Sequence, residues 1–166
     1  TRHRRHPLLG PGSMHAAQLH GGTGRSTFSA SATVCIERRT LPGESGEGAV
    51  REMQAILDRL ASNDPMFEGH VVAVLVRPPF EARPDSPILA ALEESAVHIL
   101  GRRPARVGEN PWMDASLYAE RGIDTIVFGA AGAGAHADEE WADVDSVLSL
   151  SACLATTAAR YCNEAV

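Results

Sequence analysis

Three prolines, Pro78, Pro79 and Pro84, fall between Arg77 and Pro84, and no helix or central strand continues through such a stretch, because each proline lacks an amide donor and fixes its own φ. The chain is therefore divided there. We place a hinge or domain boundary near residue 82, which gives the parts 1–82 and 83–166. A length of 166 residues allows one ordinary domain or two small ones. With 44% hydrophobic and 22% charged residues the chain can build a core and is not broadly disordered. Fifteen Lys and Arg against 21 Asp and Glu leave a net charge of -6, which argues against a nucleic-acid partner, since such proteins usually carry a basic footprint. Three cysteines, Cys35, Cys153 and Cys162, show no C-x-x-C spacing. They fit reduced thiols in a cytoplasmic compartment. No apolar run approaches the roughly 18 residues that a membrane span needs. The basic start Arg2-His3-Arg4-Arg5-His6 runs into Pro7 and Gly10-Pro11-Gly12 rather than an apolar segment, so it does not read as a secretory signal. It reads as the solvated end of a truncated helix, and with Thr1 in place of an initiator Met the chain is expected to be a fragment.

Strands and helices alternate in both parts. Residues 13–20 form a strand between Gly10-Pro11-Gly12 and Gly21-Gly22. Residues 32–38 form a second, with Val34 and Ile36 on one face and Thr33, Cys35 and Glu37 on the other. Val50, Met53, Ile56, Leu57 and Leu60 recur at helical spacing over 47–61, and Asn63-Asp64-Pro65 stops that helix. The β-branched run 71–76 predicts a buried strand. Helices follow over 86–100, over 114–121 with Asp114 as its cap and Gly122 as its stop, and over 145–162. The short apolar run 126–128 predicts a buried strand that enters a glycine-rich loop, 129–135. No internal repeat is present. The fold class is α/β or α+β.

Two places could carry chemistry. The glycine loop delivers His136 and then Asp138, Glu139 and Glu140. Ligand sites in α/β folds gather at the carboxyl ends of strands, glycine lets a backbone approach a ligand, and His serves both as metal ligand and as general base. A solvated surface loop explains the same residues. The glycines do not match G-x-G-x-x-G and no P-loop Lys follows, so a nucleotide fold is disfavoured. The second place is Glu37-Arg38-Arg39-Thr40-Leu41-Pro42-Gly43-Glu44, where an Arg at a strand end could grip a carboxylate with two parallel hydrogen bonds. Pairing with Glu37 and Glu44 is the alternative. His15 and His20 read as strand residues, and His70 and His98 as structural ones. Ser13 does not sit in a nucleophile elbow. His136 is one strong metal-ligand candidate, whereas a zinc site takes at least three protein ligands.

Gly-Pro-Gly-Ser-Met-His15, Gly21-Gly22, Cys35-Ile-Glu-Arg-Arg-Thr-Leu-Pro-Gly-Glu44, Trp112-Met-Asp-Ala115, Gly122-Ile-Asp-Thr-Ile-Val-Phe-Gly129 and Gly134-Ala-His-Ala-Asp-Glu-Glu-Trp141 occur in this order from about residue 7 to the end. Together they resemble the dinuclear-zinc amidohydrolase and metallopeptidase family that includes acetylornithine deacetylase, succinyl-diaminopimelate desuccinylase, aminoacylase and glutamate carboxypeptidase. The 35–44 segment looks most like the acetylornithine deacetylase branch.

The resemblance implies an α/β catalytic domain interrupted by a smaller lid domain that dimerises. On this basis 1–82 is the later part of the lid and 83–166 the C-terminal part of the catalytic domain, an incomplete fold. It further implies that His136 binds metal, that Arg39 contacts the substrate carboxylate, and that Gly132 and Gly134 line the substrate pocket. Asp114 falls at a recurrent acidic position. Two zinc ions per intact subunit are implied, with cobalt or manganese as alternatives. So are a small N-acyl amino acid or peptide as substrate and a homodimer formed through the lid. The general-base Glu and the other metal ligands are expected upstream, so this chain by itself supplies no catalytic residue and is expected to be inactive. Ser26 stands where many members carry Asn, and Ala130 where Gly-Pro is usual. A non-catalytic dimerisation or binding module derived from the family is the alternative reading. A metal-free homologue whose glycine loop binds carboxylates is a third.

Overall fold

The structure, a computed structural model, describes residues 4–163. It has two compact units. One runs up to Pro79 and includes Gly108–Trp112; the other is Phe80–Val107 together with the chain from Met113 onward. Each unit is therefore built from more than one stretch of chain. Helices and strands occur in both, the α/β character expected from the sequence.

In the first unit a nine-residue strand and an eight-residue strand, β3 (Ser13–Gly21) and β4 (Ala32–Arg39), pair antiparallel with a bulge between Ala16 and Gln18. Two short strands precede them, β1 (Arg5–His6) and β2 (Gly10–Pro11). They correct the expectation of a helix end at the N-terminus, of which Arg2 and His3 lie outside the described residues. The reason is local. His6 Nδ1 accepts the amides of Leu8 and Leu9 at 3.2 and 3.3 Å, and Gly10 takes a left-handed φ of 73°, so the chain turns instead of coiling.

Leu41-Pro42-Gly43-Glu44 closes β4 as a turn with Pro followed by a glycine at φ 81°, the signature of type II. The Glu44 amide donates to the Leu41 carbonyl (2.9 Å), and the Leu41 amide donates to Glu44 Oε2 (2.8 Å). This double closure buries Leu41. Helix α1 (Gly46–Asn63) starts at Ser45, whose side chain accepts from the Gly48 amide, and stops at Asp64, as the sequence predicts.

The run 71–76, expected to be a buried strand, is neither buried nor a strand: Val72, Val74, Leu75 and Val76 are exposed. A β-branched run favours extended backbone, but a strand also needs a neighbour to take its hydrogen bonds, and no described strand pairs with it. The Val71 amide donates instead to the Gln54 side chain of α1 (3.2 Å). The run 126–128 is likewise unpaired among the described residues, with Val127 exposed.

The second unit is organised by α2 (Pro87–Leu100) packed on α4 (Val144–Asn163). The helix pair buries the small residues Ala91, Ser95 and Ala96 of α2 and Cys153 and Thr157 of α4, with Leu92 as its large apolar residue and Glu93, paired with Arg103 and Arg106, as its large polar one. Ser95 and Thr157 donate their hydroxyls to the carbonyls one turn back, at 2.7 Å each, so neither leaves a buried polar group unmade. Helix α3 (Ala115–Glu120) is short and ends before Gly122 at φ 75°. Asp114 precedes it but makes no capping bond, against expectation. Its backbone is already helical (φ -58°, ψ -17°), whereas a capping side chain reaches the first amides from an extended residue. All three cysteines are free thiols. Among the described residues no helix is long and apolar enough to cross a membrane.

Helix α2 begins with Ser86 accepting from the Leu89 amide and Pro87 in the first turn, and it ends at Gly101, left-handed at φ 70°. Asp124 adds a second cap from a distant part of the chain, taking the Ile88 amide on Oδ2 (3.2 Å) and Arg83 on Oδ1 (3.3 Å). Burial works to raise its pKa, but hydrogen bonds from the Ser86 hydroxyl, the Ile88 amide and Arg83, with the Arg83 charge, outweigh it and hold the carboxyl below its usual range. A depressed carboxyl contributes stability that is fully present above its unfolded pKa and is lost as pH falls through the folded value. The second unit should therefore lose stability below about pH 4. Asp124→Asn should be less stable at pH 7 and show a shallower acid loss in urea titrations at stepped pH. Parallel acid profiles for the two proteins would refute this role of Asp124.

Candidate functional site

Period-two alternation along β4 sends its two arginines to opposite faces. The register sets Met14 opposite Arg38, His15 opposite Glu37 and Ser13 opposite Arg39. Arg38 turns to α1, where Glu52 Oε2 lies at 2.6 Å and Glu44 Oε1 at 3.1 Å, and its side chain is only 10% exposed. Burial opposes its charge, yet the hydrogen bonds and charges of Glu52 and Glu44 outweigh that and raise its pKa further. The same bond and charge hold Glu52 below its ordinary range. Arg38 thus joins the turn to the helix through both terminal nitrogens, while its Nε is buried without a partner among the described residues.

Arg39 lies on the other face, half exposed. Its Nη2 is 3.0 Å from Glu37 Oε1, and Nη1 donates to the Asn110 carbonyl at 3.1 Å. Glu37 Oε2 is in turn 3.2 Å from His15 Nε2. Of the two arginines, only Arg39 keeps an accessible guanidinium. Farther along this face His20 approaches Gln18 (3.4 Å). His70 lies outside any helix or strand, and His98 sits in the last turn of α2.

In the second unit the glycine loop is folded back on itself. Strands β5 (Gly132–Ala133) and β6 (Trp141–Ala142) pair antiparallel, with Gly132 opposite Ala142 and Ala133 opposite Trp141. The two glycines face the chain's own backbone. A Cβ at Gly132 would fall on the Trp141 carbonyl oxygen, and one at Gly134, where φ is 83°, on that of Glu139.

His136 sits exposed at the tip, itself left-handed at φ 65°. The Ala137 amide donates to the Gly134 carbonyl (2.8 Å) and closes the turn around it. The base of the hairpin is tied to α4. Ser146 Oγ accepts the Ala131 amide (2.8 Å), the Asp143 amide donates to the Ala131 carbonyl (2.9 Å), and Asp143 Oδ1 accepts the Ser146 amide (2.7 Å).

Sequence reasoning did not single out Asp143 and Ser146. Their Asp-x-x-Ser spacing directly before an apolar helical stripe was the available signal, since Asp143 is the residue that caps α4.

His136, Gly132 and Gly134 thus belong to one hairpin of the second unit, and Arg39 to the exposed sheet face of the first. Among the described residues no three His, Cys, Asp or Glu side chains converge as a metal site would require. The exposed His136 does not complete a metal centre with the other described residues.

A model of peptidase family M20/M25/M40 matches residues 10–160. An acetylornithine deacetylase of Myxococcus xanthus is 23% identical over 151 residues, which span 90% of this chain and 38% of that protein. Two solved structures share the fold at a TM-score of 0.71 each. The M20 family metallo-carboxypeptidase Sso-CP2 of Sulfolobus solfataricus is 20% identical, and the match covers 93% of this chain and 36% of that one. The aminopeptidase PepT of Bacillus cereus ATCC 10987 is 21% identical, with 88% of this chain and 39% of that one covered. The chain spans less than two fifths of the length of the deacetylase it matches.

Proposed function

The chain belongs to peptidase family M20/M25/M40, and on that premise we propose that it is part of a metal-dependent amidohydrolase that cleaves the amide bond of an N-acyl amino acid, as an acetylornithine deacetylase does, or of a small peptide. The observation that carries this reading is the family match across residues 10–160, joined to the similarity to a deacetylase along 151 residues. In it the first unit belongs to the lid and the second to the catalytic domain. Arg39, the arginine left accessible on β4, takes the substrate carboxylate. Gly132 and Gly134 belong to the loop that lines the substrate pocket, and His136 is one metal ligand.

The family's chemistry draws on divalent metal, zinc in this proposal with cobalt or manganese as alternatives, which polarises the scissile carbonyl and acidifies a water. The described residues do not complete such a centre; in this proposal the remaining ligands and the general-base Glu lie upstream in the intact protein. We further propose a cytoplasmic homodimer joined through the lid.

The isolation of His136 also favours a second reading, a binding or dimerisation module without chemistry. Metal content and hydrolysis of N-acetylornithine and a panel of N-acyl amino acids, measured on this chain and on a form extended upstream, separate the two. The enzyme reading expects the extended form alone to bind two metal ions per subunit and to turn over substrate. Inactivity of both forms would favour the module.

A further inference from the structure

Glu37 is placed to control Arg39. Its Oε1 takes Arg39 Nη2 at 3.0 Å while Oε2 lies 3.2 Å from His15 Nε2 across the hairpin, and the Asn110 carbonyl takes Nη1 at 3.1 Å. The guanidinium is therefore tied at both terminal nitrogens. An arginine has five N–H donors, and among the described residues Nε–H has no partner, nor does the second hydrogen on each terminal nitrogen. The side chain stays 47% exposed. A free arginine would spread over many rotamers and would have to be ordered when a ligand binds. Here the half-exposed Glu37 carboxylate and the Asn110 carbonyl do that ordering in advance, with the other donors left for a ligand.

We propose that Glu37 is a positioning residue that holds Arg39 in the pose that receives the carboxylate of a small ligand. The proposal rests on the reading of Arg39 as the carboxylate contact. Its direction of effect is diagnostic. Glu37 is itself an anion beside an anion site, so if it were a bystander, removing its charge would strengthen carboxylate binding about threefold at a separation of about 6 Å in water. A positioning role requires the opposite.

The test uses the 166-residue chain, observing the arginine Nε–H resonances by NMR, with Arg39 assigned through its loss in Arg39→Lys. The probe is N-acetylglycine, and its neutral amide N-acetylglycinamide is the control. The expected result is a saturable shift at Arg39 with the acid and none with the amide. Glu37→Gln should weaken the acid's affinity about tenfold, with circular dichroism and melting temperature unchanged, and Glu37→Asp should restore most of it. Equal or tighter binding by Glu37→Gln would overturn the positioning role while leaving Arg39 as the contact. Weakening accompanied by unfolding, and not restored by Glu37→Asp, would also overturn it. A wild-type Arg39 indifferent to the acid would remove the carboxylate contact and the proposal together.

Discussion

Leu92→Ala should cost the second unit about 2–5 kcal/mol, the range for deleting a buried leucine side chain when its surroundings relax only in part. Leu92 is 3% exposed in α2, the helix that packs on α4, and the other buried residues of that pair are the small Ala91, Ser95, Ala96, Cys153 and Thr157 and the ion-paired Glu93. Small residues bring two helices close, but they bury little apolar area each. The one large apolar side chain buried in this pair therefore carries a disproportionate share. Hydrogen exchange of the α2 and α4 amides reads the loss directly, because those amides open with the unit. A change below about 1 kcal/mol would mean that the site collapses around the smaller residue and that the helix pair is not tightly packed.

Gly134→Ala should open the hairpin that carries His136. An alanine at φ 83° has the left-handed penalty of about 1–2 kcal/mol. Its Cβ would also meet the Glu139 carbonyl oxygen, a backbone atom that moves only with the hairpin. Together these amount to about 2–3 kcal/mol of local destabilisation. The Ala131 and Asp143 amides, which tie the hairpin to α4 at 2.8 and 2.9 Å, should exchange about thirtyfold faster or more. The α2 amides should be unaffected. Unchanged exchange at Ala131 and Asp143 would show that the loop accommodates a side chain at 134. It would then be open enough that glycine is not required by the chain itself.

The glycine loop makes room for its own backbone. The loop followed an apolar run and preceded a histidine, and the natural inference was that its glycines admit a ligand. In the folded chain Gly132 and Gly134 first admit the carbonyls of Trp141 and Glu139. The signal was the same in both cases, since a missing Cβ says that something approaches closely without saying what. The Arg38-Arg39 pair shows the same limit. Alternation along a strand was enough to place the two arginines on opposite faces. Which face was covered depended on Glu52, a residue of α1 fourteen positions on from Arg38.

Helices α1, α2 and α4 were legible to within one or two residues at each end, with Ser45 and Ser86 accepting amides at the starts of the first two and Asp64 and Gly101 at their ends. Strands β3 and β4 were equally readable as strands. All of these depend on interactions within about four residues or on alternation along a single strand. The runs 71–76 and 126–128 carried strand composition just as clearly, yet neither is a strand. Pairing is a property of a neighbour, and no described strand pairs with them. Local periodicity, caps and turn chemistry were the sequence's own contribution to this protein. Tertiary structure alone decided which arginine remained open, what the glycines made room for and how the His136 hairpin was anchored, because each rests on a contact between residues that the chain's local order does not bring together.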